Sequence, residues 1–195
     1  MCGEKHSLRS ETIRQMLVTG RLLDPGRVWE VVELLEGRPT GLSKLIECIF
    51  DEDAAIASRA ADALERITRH RPHQAQRWKE ALIGLLAETT EKKVRWNLAL
   101  TIPRLELTVP ECRRIASILN TWLDDPSSIV KTCALHAMAD LTRQDPDSLP
   151  DVLDLLRMAA RSGTPAMRAR SRILLKAIES DRRKQLEQSS LHMFD

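Results

Sequence analysis

Leucines recur along this chain at a fixed distance. Leu45, Leu82, Leu119 and Leu156 lie 37 residues apart, and the same step aligns Cys48, Leu85, Trp122 and Ala159. One turn on from the leucines, Ile49, Leu86, Leu123 and Ala160 form a third column. Positions three or four apart share a helix face, so these columns describe one apolar stripe on each of four helices. A second family of columns follows each stripe, starting at Ile56, Val94, Val130 and Met167 with steps of 38, 36 and 37 residues. Four residues on come Ala60, Leu98, Ala134 and Ser171, and seven on come Ala63, Thr101, Ala137 and Leu174. Leu64, Ile102, Met138 and Leu175, then Ile67, Leu105, Leu141 and Ile178, close the set at offsets 8 and 11. These offsets trace a 3.6-residue period, with small side chains where two helices must approach closely.

Punctuation between the stripes agrees with the period. Short linkers at 51–53, 88–92, 124–128 and 161–165 predict tight turns joining antiparallel helices. Thr164 before Pro165 reads as an N-cap followed by a first-turn proline, and Ser127 or Ser128 is placed to cap the helix carrying Val130. Arg71-Pro72, Val109-Pro110 and Asp145-Pro146 separate one pair from the next. The unit is helix, turn, helix, break, repeated over about 39–71, 72–108, 109–145 and 146–180. Residues 1–38 fall outside the register but still predict two helices, near Ser10 to Thr19 and Pro25 to Glu36, with Asp24 as N-cap and Gly37 as stop. Trp29 is expected on the apolar side of the second. Residues 181–195 form a charged tail that can extend the last helix, and its Leu-His-Met-Phe ending is apolar enough to fold back or to dock elsewhere.

With these columns in place the chain resembles the HEAT-repeat family, whose second helix carries a V-R-x-x-A-x-x-A-L pattern. Val94-Arg95 with Leu98, and Val130-Lys131 with Ala134, Ala137 and Met138, fit it; residues 123–138 match best, including the aspartate and proline of the inter-helix turn. Ala57 departs from the pattern in the first repeat. Pro103 interrupts the second and is expected to kink its helix. The resemblance covers about 40–180 and implies an all-α, right-handed α-solenoid of HEAT-like hairpins, related to armadillo-like helical stacks. Solenoids need atypical terminal units over an otherwise open core, so residues 1–38 read as an N-terminal cap.

Composition narrows the chemistry. With no Tyr and two Phe in 195 residues, and 43% apolar content, the core must be aliphatic, as helix-on-helix packing requires. A net charge of +2 gives no general pull towards nucleic acid or an anionic bilayer. Cys2, Cys48, Cys112 and Cys133 form no C-x-x-C pair, which suggests a reducing, cytoplasmic setting. No apolar stretch approaches the roughly 20 residues that span a bilayer, so no membrane is expected as a partner. Charge is divided along the chain: 105–156 carries nine acidic residues against four basic, whereas 157–184 carries nine basic against two acidic.

In the resemblance the second helices line the concave face, so columns off their apolar stripe are the candidate partner-binding positions. Two residues after the column start lie Ser58, Trp96, Thr132 and Ala169; Trp96 stands out as a large aromatic, although packing against a neighbour would explain it equally. Three after the start come Arg59, Asn97, Cys133 and Arg170, and ten after come Arg66, Arg104, Asp140 and Ala177. Together with Trp96 the arginines would form a basic groove suited to an acidic peptide or a phosphate backbone; a solvated helix face would carry the same residues. His136 near Asp62 and Asp140 is the most that can be assembled for acid-base work. His70 and His73 lack a third ligand at matching spacing. With seven Gly, no nucleophile-elbow motif and no phosphate-cradling loop, no catalytic residue, metal or cofactor is assigned.

The expected function is a non-enzymatic protein-binding scaffold, or adaptor, acting on another protein or an acidic peptide, which rests on fold analogy. The alternative is nucleic-acid binding in the manner of the HEAT-like DNA alkylation-repair glycosylases, whose Trp, Arg and Asp set Trp96, Arg59, Arg104 and Asp140 would imitate without matching their motifs. HEAT-like phycobilin lyases share only architecture with this chain.

Overall fold

A computed structural model describes residues 13–18, 27–36 and 39–191 of the chain, with side chains from 41 to 184 in the last stretch. Asp24, Gly37 and the final four residues lie outside the described part. The described residues contain ten α-helices and four short 3-10 turns and no strand. The helices are α1 (Ile13–Val18), α2 (Val28–Leu35), α3 (Pro39–Ile49), α4 (Ala54–His70), α5 (Lys79–Glu88) and α6 (Lys92–Thr101), then α7 (Val109–Thr121), α8 (Ser128–Leu141), α9 (Leu149–Ser162) and α10 (Pro165–Leu191). From α3 onward successive helices are joined alternately by shorter and longer connections.

The chain divides into two compact units, residues 1–106 and 107–195. In the first, α4 packs against α1, α2, α3 and α6, so the second helix of one pair rests on the second helix of the next. In the second unit α10 packs against α9 and α8 in the same manner. The columns explain why. Leu45, Leu82, Leu119 and Leu156 are fully buried, as are Ala60, Ala134, Ala63 and Ala137 in the second helices. Each buried leucine contributes about 1.5–3 kcal/mol relative to exposure, and the alanines set how closely two helix axes approach.

Side-chain caps fix where the helices begin. Asp53 accepts from Ala55 N at 2.8 Å at the start of α4, and Ser127 accepts from Val130 N at 3.5 Å at the start of α8. Thr164 takes the Met167 amide at 3.3 Å, the cap expected from Thr164-Pro165. Thr108 and Glu111 form a reciprocal capping box on α7 that the sequence reading did not identify. Pro103 acts more sharply than a kink: α6 stops at Thr101, and Ile102–Arg104 continues as a 3-10 turn. A proline ring cannot donate to the ladder and crowds the preceding turn, so ending the helix is the cheaper outcome.

Candidate interaction surface

The expected basic groove is not what the structure places on these columns in the first unit. Arg59 is 6% exposed and donates Nη1 to Leu17 O at 2.6 Å and Val18 O at 3.4 Å, tying the end of α1 to α4. A guanidinium at a helix C-terminus satisfies orphan carbonyls and meets the negative end of the dipole, which is a structural use. Asn97 is 5% exposed and donates to Lys93 O at 2.9 Å within α6. Arg104 is half-buried, its Nη2 on Glu65 Oε1 at 2.7 Å and its Nη1 on Glu65 O at 2.8 Å. Arg69 grips the same carboxylate with two bonds, Nε to Oε1 at 2.9 Å and Nη2 to Oε2 at 2.6 Å. Burial would raise the Glu65 carboxyl, but bonds from Arg69 and Arg104 outweigh it and hold the group below its usual value.

The helical wheel gives the reason. At 3.6 residues per turn, offset 3 lies only about 60° from offset 0, and offset 10 about 80° from it. Both columns flank the buried stripe, and long side chains there fold onto the neighbouring helix. Arg66, also at offset 10, pairs with Asp62 through two bonds of 3.0 and 3.3 Å and lays its guanidinium 4.2 Å from the Trp29 ring centroid. Trp29 is thereby a correction to the sequence reading. It does not face the apolar side of α2 but is 58% exposed. Trp96, at offset 2, is half-buried on α6, and Trp78 is half-buried with the Arg77 guanidinium 4.1 Å from its ring centroid. Trp122 is core, as its column predicted.

In the second unit His136 and Asp140 are half-buried, as Arg66 and Arg104 are in the first. His136 Nε2 lies 3.5 Å from Asp140 Oδ2, and Arg143 reaches the same carboxylate at 3.7 Å. Asp140 borders a groove of about 450 Å3 between α8 and α10, together with Arg143, Leu174, Ala177, Ile178 and Arg182. Arg170 is exposed, and with it Arg172, Lys176, Arg182, Arg183 and Lys184 along α10. Among the described residues no carboxylate forms an ion pair with Arg170, Arg172 or Lys176. Ile173 stands between them, 58% exposed, and Met158 on α9 is 59% exposed.

Ile173 and Met158 were not singled out from the sequence. A signal existed for Met158, whose 37-residue column otherwise holds Glu47, Gly84 and Thr121. Ile173 shares its column with Asp62, Leu100 and His136, too mixed to read. Among the described residues no group of three or more His, Cys, Asp or Glu is disposed to hold a metal ion, and no helix is long and apolar enough to cross a membrane. No family model, no curated protein and no solved structure matches the chain.

Proposed function

We infer that the chain is a non-catalytic interaction scaffold, a short HEAT-like α-solenoid whose last helix receives an acidic segment of another protein. The 37-residue register and the packing of second helix on second helix within each unit support the solenoid reading. The observation that carries the function is the outer surface of α10, where Ile173 is exposed among Arg170, Arg172 and Lys176, none of them paired with a carboxylate among the described residues. An apolar centre with a cationic rim gives a helical partner both contact area and register. Arg59, Arg66 and Arg104 are engaged internally, so α10 replaces the predicted groove as the binding surface. Buried, unpaired Cys48 and Cys112, whose thiols burial pushes up, favour a reducing, cytoplasmic setting.

Nucleic acid is the competing ligand for a cationic helix. It is disfavoured by the absence of an aromatic side chain among the described side chains of α10, since single strands are held largely by stacking on such rings. Affinity capture with the full chain, wild type against an Arg170→Glu, Lys176→Glu double variant, distinguishes the two. A specific protein retained by the wild type and lost from the variant supports the scaffold. A salt-sensitive shift of labelled DNA, abolished by the same variant, overturns it, because phosphate contacts strengthen as salt falls.

A further inference from the structure

We propose that Trp29 is a second binding site, independent of α10, which seats an arginine side chain from a basic segment of another protein. Tryptophan is the largest apolar side chain, and leaving more than half of it in water forgoes burial that a folded chain ordinarily takes. Here the ring is exposed yet held. Arg66 covers it at 4.2 Å from the centroid, and Arg66 is itself fixed by the two-bond pair with Asp62. Trp29 is 58% exposed although a guanidinium already lies over its ring, so ring surface remains for a second group. An aromatic ring whose position is set before binding loses little conformational freedom when a partner arrives, which is why Trp and Arg dominate interface hot spots.

Charge around the ring selects the ligand. Arg66 and Asp62 cancel one another and contribute no net field. On α2, Glu30 is engaged by Arg27 at 2.8 Å, and Glu36, just past its end, lies 4.0 Å from Arg71. Glu33 is exposed and forms no ion pair among the described residues. It follows Trp29 by four residues, so the two side chains are neighbours on one helix face. The site therefore offers exposed ring surface beside a carboxylate that no described residue neutralises, which attracts a cation and repels a phosphate. A guanidinium fits better than an ammonium, since it stacks flat on indole and can present two donors to Glu33.

The test uses the full-length chain labelled with 15N and the peptide Gly-Arg-Arg-Gly as probe. Trp29 supplies one of four indole resonances, and Trp29→Ala assigns it. Titration is expected to move that resonance saturably and leave those of Trp78, Trp96 and Trp122 in place, with Gly-Glu-Glu-Gly inert. Followed through the backbone amides around position 29, which remain when the indole is replaced, Glu33→Gln, which keeps the shape, should weaken binding about fivefold, Trp29→Phe by less, and Trp29→Ala should remove the saturable response. The proposal fails if the Trp29 indole does not respond, or if binding survives Trp29→Ala. Tighter binding of adenosine monophosphate than of the arginine peptide overturns the choice of ligand. A shift of the Trp29 indole that needs no peptide and disappears on dilution makes a second copy of the chain the occupant and also overturns it.

Discussion

Glu65 is 2% exposed on α4, yet it remains a carboxylate because two guanidiniums meet it. Its folded pKa lies below the usual value of 4.5, so its contribution to stability is fully present above that value and is lost as pH falls through the lowered one. Glu65→Gln is expected to destabilise the chain by about 1–3 kcal/mol at pH 7, less than a fully buried pair because Arg69 is half exposed. Denaturant melts should show that penalty shrinking towards acid pH; a penalty constant from pH 7 to 3 would remove the electrostatic account. Ser171 presents the opposite case. Its hydroxyl is buried without a hydrogen-bond partner among the described residues, in a column otherwise filled by Ala60, Leu98 and Ala134. Ser171→Ala should therefore raise stability by up to about 1 kcal/mol, measured as a higher urea midpoint. Residue identity in a column predicted burial well for aliphatic side chains, which have one way to be stable. It failed for Arg59, Arg66 and Arg104, because a long cation beside the stripe is stable in water or on an internal acceptor, and the acceptor is set by another helix.

At the scale of elements, helix existence was legible because period, caps and prolines coincide over each of the four pairs. What was not legible was how each second helix ends. α6 has 10 residues where α4 has 17, and the difference traces to Pro103. The glycine inside α5 gives a clean test of local propensity. A methyl group added at Gly84 meets nothing within 4 Å, so Gly84→Ala should stabilise by about 0.5–1 kcal/mol through helix propensity and a less flexible unfolded chain. A lower melting temperature for Gly84→Ala would show that something occupies that surface. Thr108→Ala removes one half of the capping box on α7 and should cost about 1 kcal/mol. The same substitution at exposed Thr90, which caps nothing in the described structure, serves as the control.

For the molecule as a whole, the 37-residue step runs through the boundary at residue 106 without a break in register, so the sequence gives no hint that the contacts fall into two compact units. Repetition in sequence reports what each repeat can bury, and says little about how strongly each interface is built. Equivalent core truncations separate the units: Leu45→Ala and Leu156→Ala occupy one column, are both fully buried, and should each cost about 2–5 kcal/mol. Native-state hydrogen exchange is expected to lose protection mainly within 1–106 for the first and within 107–195 for the second; uniform loss from either would mean one cooperative body. The placement of tryptophans adds an optical consequence. The chain has no Tyr, so its near-ultraviolet absorption and emission come almost wholly from four indoles. Of these, only Trp122 is buried, and it belongs to the second unit, whereas Trp29, Trp78 and Trp96 of the first already meet water. The red shift on unfolding of residues 107–195 therefore comes from Trp122 alone and that of residues 1–106 from half-buried Trp78 and Trp96, so Trp122→Phe leaves an emission that follows the first unit by itself.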